Sequence, residues 1–120
     1  MANPSFSTNV QPLFTQYCAL SGCHAQTPGP GNLNLAAGNS YIQLINITAV
    51  QPVTCISGAV TTIASVRVNA ALADPYKSVL MHRLEATCNV LPQMPSGNPP
   101  LEMGQIDIIR NWISSGAPNN

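Results

Sequence analysis

The sequence predicts a small all-α domain with long loops and room for a short β-rich insertion around residues 50–70. Three observations carry this. Apolar residues recur at helical spacing near both ends, as Phe6, Val10, Leu13, Phe14 and Tyr17 and again as Ile106, Ile109 and Ile113 beside Ile108 and Trp112. Eight Gly and eleven Pro break the chain often, which favours short helices joined by long loops. With 120 residues the chain suits one domain, spanning 1–120, with a modest core of its own.

The first helix is expected from Ser5 to Tyr17, with Ser5 or Ser7 as its cap. Pro12 lies inside that pattern and should kink the helix or delay its onset. Residues 25–38 read as a loop, marked by Pro28, Gly29, Pro30 and Gly31. Asn39 or Ser40 is placed to cap a short helix through Tyr41, Ile42, Leu44 and Ile45. Residues 50–72 are rich in β-branched types, interrupted by Gly58, and read as a long loop with some extended pairing. Asp74-Pro75 opens the next helix, with Asp as cap and Pro at the first helical position, followed by Tyr76, Val79, Leu80, Met81 and Leu84. A Pro-rich irregular stretch, 86–101, precedes a last helix from Leu101 to Ser115. Gly116 stops it and Pro118 lies just beyond. Trp112 is expected to pack this helix across the first one, near Phe6 and Val10.

Charge excludes one class of partner. Four basic and four acidic residues balance to zero, and no basic stripe is present to attract phosphates, so nucleic acid is not an expected ligand. No apolar run reaches membrane-spanning length. Residues 1–17 lack the charged start and continuous apolar run of a signal peptide, so the expectation is an exported chain from which one has been removed.

The stretch Cys18-Ala19-Leu20-Ser21-Gly22-Cys23-His24 carries the chemistry. Its Cys-x4-Cys-His spacing is two residues longer than the Cys-x-x-Cys-His signal for covalent haem attachment. On this reading Cys18 and Cys23 form thioethers to one haem c, and His24 binds its iron. The two added residues bulge out at Ser21-Gly22. The bland alternative is a zinc site completed by Cys88, Cys55 or His82, but a second spaced ligand pair is missing from the sequence.

A haem so held needs a sixth ligand, and Met94 is the first choice. It precedes Pro95, which biases it to an extended backbone, in a loop able to cross to the far haem face. Its bland role is gap-filling in a core. His82 is the rival and would lower the reduction potential. Met81 and Met103 fall on helices and should pack there. Leu33 and Leu35 point the same way in an extended segment and are candidates for packing on a haem edge or in an ordinary core. Arg67 is a candidate partner for a haem propionate, against a plain solvent-facing role. Tyr41 and Tyr76 are weaker propionate candidates.

Cys55 and Cys88 remain as a free pair, a further metal site or a disulfide. Their even count and an oxidising compartment favour the disulfide. It would tether the β-rich insertion to the segment leading into Met94.

Taken together, Phe6, Gln11-Pro12, Phe14, Cys18, Cys23-His24, Met94-Pro95 and Trp112-Ile113-Ser114-Ser115-Gly116-Ala117 resemble a bacterial branch of the monohaem class I c-type cytochromes. The resemblance covers most of the chain except residues 46–66. It implies a class I cytochrome c-like helical domain in which the Met matching Met94 is the axial ligand opposite His24. It departs in the x4 spacing and in the Cys55/Cys88 pair. The function it implies is electron transfer, not enzymatic catalysis, by a periplasmic or extracellular protein that docks weakly with redox partner proteins. Two other readings stand beside it. One is a haem-based sensor or peroxidase-like protein with a labile sixth ligand. The other is a self-associating subunit of an extracellular electron-conducting assembly.

Overall fold

The computed structural model describes residues 3–19, 33–57, 60–89, 94 and 99–120. Its elements run as a π-helical turn Phe6–Val10 into helix α1 (Gln11–Tyr17), then α2 (Ser40–Leu44), strands β1 (Thr48–Ser57) and β2 (Val60–Val66), a 3-10 turn Pro75–Lys77, α3 (Val79–Glu85), a second 3-10 turn Thr87–Asn89, and α4 (Met103–Ser114).

The first helical segment changes register at Pro12. The Val10 N–H donates to the carbonyl of Ser5, five residues back, which is π-helical spacing. Pro12 has no N–H to give, and in the first turn of α1 none is required. The Ser5 hydroxyl caps the start by accepting from the Thr8 N–H.

The all-α expectation is overturned by a two-stranded antiparallel sheet where a long loop with some extended pairing was expected. β1 and β2 pair with Val53 opposite Ala64 and Cys55 opposite Thr62. The physical reason is a face to bury. Ala49, Val53, Cys55 and Ala64 turn inward against Val79 of α3. Pro52, Thr54, Ile63 and Ser65 alternate outward. That period of two makes the hairpin a packed layer. A register irregularity between Thr48 and Val53 accommodates Pro52, whose missing N–H cannot serve a regular ladder. Gly58 lies outside the described residues.

The helix expected to open at Asp74 is also divided. Asp74 accepts from the Tyr76 N–H and caps only the 3-10 turn. Ser78 then adopts extended backbone and bridges to Val66 before α3 begins. The buried Ser78 hydroxyl accepts from the Asn69 N–H and donates to the Asp74 carbonyl, each at about 2.8–2.9 Å, so this break is fully hydrogen-bonded.

The principal core lies between the first helical segment and α4. Phe6 and Trp112 have ring centroids 5.2 Å apart, and Tyr41 meets Phe6 edge-on at 5.1 Å. Val10, Phe14, Ile109 and Ile113 belong to the same cluster. The start of α4 carries a capping box: the Glu102 side chain accepts from the Gln105 N–H while the Gln105 side chain accepts from the Glu102 N–H. Gly116 ends it at φ 99°, a conformation that glycine reaches without a Cβ penalty. Met103, expected to pack, is instead 79% exposed on the first turn of α4. Among the described residues no helix is long and apolar enough to cross a membrane.

Candidate functional site

Two groups of chemically distinctive residues lie in different parts of the fold. The first begins at the end of α1. Cys18 is the residue at which the helix stops, with its N–H donated to the Phe14 carbonyl at 2.9 Å. Its side chain is buried in the principal core, the cluster that also holds Leu35, Leu101 and Ile106. Cys23 and His24 lie outside the described residues, as does the Ser21-Gly22 bulge expected between them and Cys18. Helix α1 is thus the described element that leads into the Cys18–His24 stretch.

The chain re-enters beside that helix. Leu35 is buried and Leu33 is half-buried against the same cluster. Gln11 holds the returning segment: its Nε2 donates to the Leu35 carbonyl at 3.1 Å, and its Oε1 accepts from the Ser40 hydroxyl. Leu35 is therefore a core residue of the principal cluster, and Leu33 packs against its edge.

Met94 is half-buried, and its backbone N–H donates to the Arg83 carbonyl in the last turn of α3. Arg67 is half-buried and donates from Nη1 to the Gln43 carbonyl at 2.7 Å. Burial lowers its guanidinium below the ordinary arginine value. The Tyr41 hydroxyl donates to the Ala117 carbonyl at 2.7 Å, the Trp112 indole N–H to the Pro118 carbonyl at 2.9 Å, and Tyr76 is about half exposed. Tyr41 and Trp112 thus spend their polar atoms on the C-terminal turn.

The second group surrounds His82. Cys55 of β1 and Cys88 of the turn after α3 are joined in a disulfide with a Cα–Cα separation of 5.0 Å. The chain reaches Cys88 through two left-handed residues that are not glycine, Ala86 at φ 54° and Cys88 itself at φ 58°. Each costs roughly 1–2 kcal/mol. They fold the end of α3 back over its own face, where His82 lies.

His82 is 2% exposed, and both ring nitrogens have oxygen partners. Nε2 stands 2.6 Å from the Tyr76 carbonyl and Nδ1 2.6 Å from the Thr87 hydroxyl. The sulfurs come next: Cys88 Sγ is 3.6 Å from Nδ1 and Cys55 Sγ 3.9 Å from Nε2. The Tyr76 ring meets the imidazole edge-on at 5.3 Å.

By sequence alone His82 is a rival haem ligand, one of three candidates to complete a zinc site with Cys18, Cys23 and His24, or a bland helix residue, and nothing there sets it against Cys55 and Cys88 together. No local signal could do so. The three residues come from a strand, a helix and a turn, and only hairpin packing on α3 brings them together. Comparison with protein-family models, curated proteins and solved structures returns no match.

Proposed function

We propose that this protein is an extracytoplasmic electron carrier holding one covalently attached haem c. The observation that supports the reading is the position of Cys18, buried in the apolar core where α1 stops and five residues before Cys23-His24. An apolar wall beside an attachment sulfur suits a flat apolar macrocycle, and the donor set of two thiols and one imidazole suits covalent haem.

When bound, haem supplies a one-electron couple at its iron. Cys18 and Cys23 would anchor it by thioethers, so that it stays in place when the iron changes charge. His24 would give the iron an imidazole nitrogen and Met94 a soft thioether. The Arg83 carbonyl holds the Met94 backbone, and the Cys55–Cys88 disulfide ties the preceding turn to the sheet. A structural disulfide also suits an oxidising compartment. Partners are redox proteins that dock weakly and leave quickly, as small electron-transfer interfaces do.

The test is chain maturation in a host that attaches haem. Haem should remain on the polypeptide under denaturing conditions and be lost in Cys18→Ala/Cys23→Ala. His24→Ala should retain covalent haem while losing the native iron spectrum. Release of all haem from the unaltered chain on denaturation rejects the proposal.

A further inference from the structure

We propose that Cys55, Cys88 and His82 form a second, thiol-gated metal site, closed while the disulfide is intact and opened by reduction to bind a thiolate-seeking ion such as Zn²⁺ or Cu⁺. The ligand atoms of the three residues lie within 4.8 Å of one another. No residue of the haem motif is among them.

The surroundings of His82 suit a metal ligand. The Tyr76 carbonyl can only accept, so the 2.6 Å contact requires a hydrogen on Nε2. In the neutral ring Nδ1 then keeps its lone pair, on the side nearest Cys88 Sγ at 3.6 Å. A metal-binding histidine characteristically donates its other N–H to a carbonyl or carboxylate, which fixes the tautomer and ring direction. Here that outer partner is already in place. The Thr87 hydroxyl now opposite Nδ1 is the group an ion would displace, or keep beside it with a water as the fourth ligand.

The walls are apolar. Ala49, Val53, Ala64 and Val79 cluster with Cys55, and Cys88 packs against them at the half-buried edge. Such a shell limits solvent access and strengthens binding by charged thiolates. Two thiolates with one imidazole select Zn²⁺ or Cu⁺ over Mg²⁺ or Ca²⁺, which require oxygen ligands.

The balance is simple. A dithiol reductant gives two electrons and two protons to the Cys55–Cys88 bond, breaking it to two thiols, and is itself oxidised to a disulfide. The ion then displaces both thiol protons to solvent, forming two metal–sulfur bonds and one bond to His82 Nδ1. Reoxidation by a disulfide or another two-electron acceptor expels the ion.

The experiment uses the full chain carrying Cys18→Ser/Cys23→Ser, so that Cys55 and Cys88 are its only thiols and the result is independent of the haem reading. Zn²⁺ is titrated by calorimetry before and after reduction, with Co²⁺ as the spectroscopic probe. The reduced chain is expected to bind one equivalent and to show thiolate-to-cobalt charge transfer with tetrahedral d–d bands. The oxidised chain should bind none at this site. His82→Gln should weaken Zn²⁺ binding by more than about a hundredfold, beyond the 10–100-fold lost with an outer-shell partner. Should reduction unfold the chain, Zn²⁺ must restore its circular dichroism. Failure of the reduced chain to bind or refold with Zn²⁺, or His82→Gln binding as tightly as its parent, overturns the site.

Discussion

The Met94 N–H donates to the Arg83 carbonyl at 2.8 Å. That carbonyl belongs to the last turn of α3, where four C=O groups have no partner within the helix. The His82 carbonyl is taken by the Ala86 N–H, so Met94 and Ala86 between them close two of the four. Met94 is therefore tied to a helix end.

With haem attached, Met94→Ala should remove the soft donor while leaving the polypeptide folded. The ferric protein is expected to lose its native low-spin spectrum, and the reduction potential to fall with loss of the thioether. Carbon monoxide should bind slowly to the ferrous parent and rapidly to the variant. Rapid binding to the parent would instead favour a sensor with a labile sixth position.

The disulfide closes a span of 33 residues between Cys55 and Cys88. In the chain-entropy model its loss destabilises by roughly 3–4 kcal/mol. Denaturant unfolding of Cys55→Ala/Cys88→Ala should show that loss. The circular dichroism of α1 and α4 should persist in the absence of denaturant, since both belong to the other core.

Trp112 is fully buried between Phe6 and Tyr41, and its indole N–H is spent on the Pro118 carbonyl. Trp112→Ala leaves a cavity and an unpaired carbonyl, and should cost about 3–5 kcal/mol. Trp112→Phe keeps most of the volume but not the donor, and should cost less. Equal losses for the two would show that the hydrogen bond, rather than the filled volume, is what Trp112 contributes.

Burial raises Tyr41 above the ordinary tyrosine value of 10.0. A folded-state value above the unfolded one means that the stabilisation is complete below pH 10 and is lost as pH rises through the folded value. Deprotonation also removes the hydrogen bond to the Ala117 carbonyl. Alkaline unfolding should begin above about pH 10 and move to higher pH in Tyr41→Phe. At neutral pH that variant should lose about 1 kcal/mol, the net value of one hydrogen bond. Identical alkaline profiles for both would remove Tyr41 from the explanation.

Local signals in the sequence determined the helical ends of this protein. The stripe of Ile106, Ile109 and Ile113 and the glycine stop at Gly116 place α4, and Phe6 to Tyr17 place the segment that packs on it, because helical periodicity alone decides which face is apolar. The Cys18–His24 spacing is equally local, since adjacency of Cys23 and His24 is a property of the chain itself. Tertiary structure decided the rest. β-Branched residues between 48 and 66 become a sheet because α3 offers Val79 for Ala49, Val53 and Ala64 to cover, and pairing of that kind depends on a distant surface. The same packing sets Cys55 and Cys88 beside His82, residues whose separation along the chain gives no hint that their ligand atoms share a space of 4.8 Å.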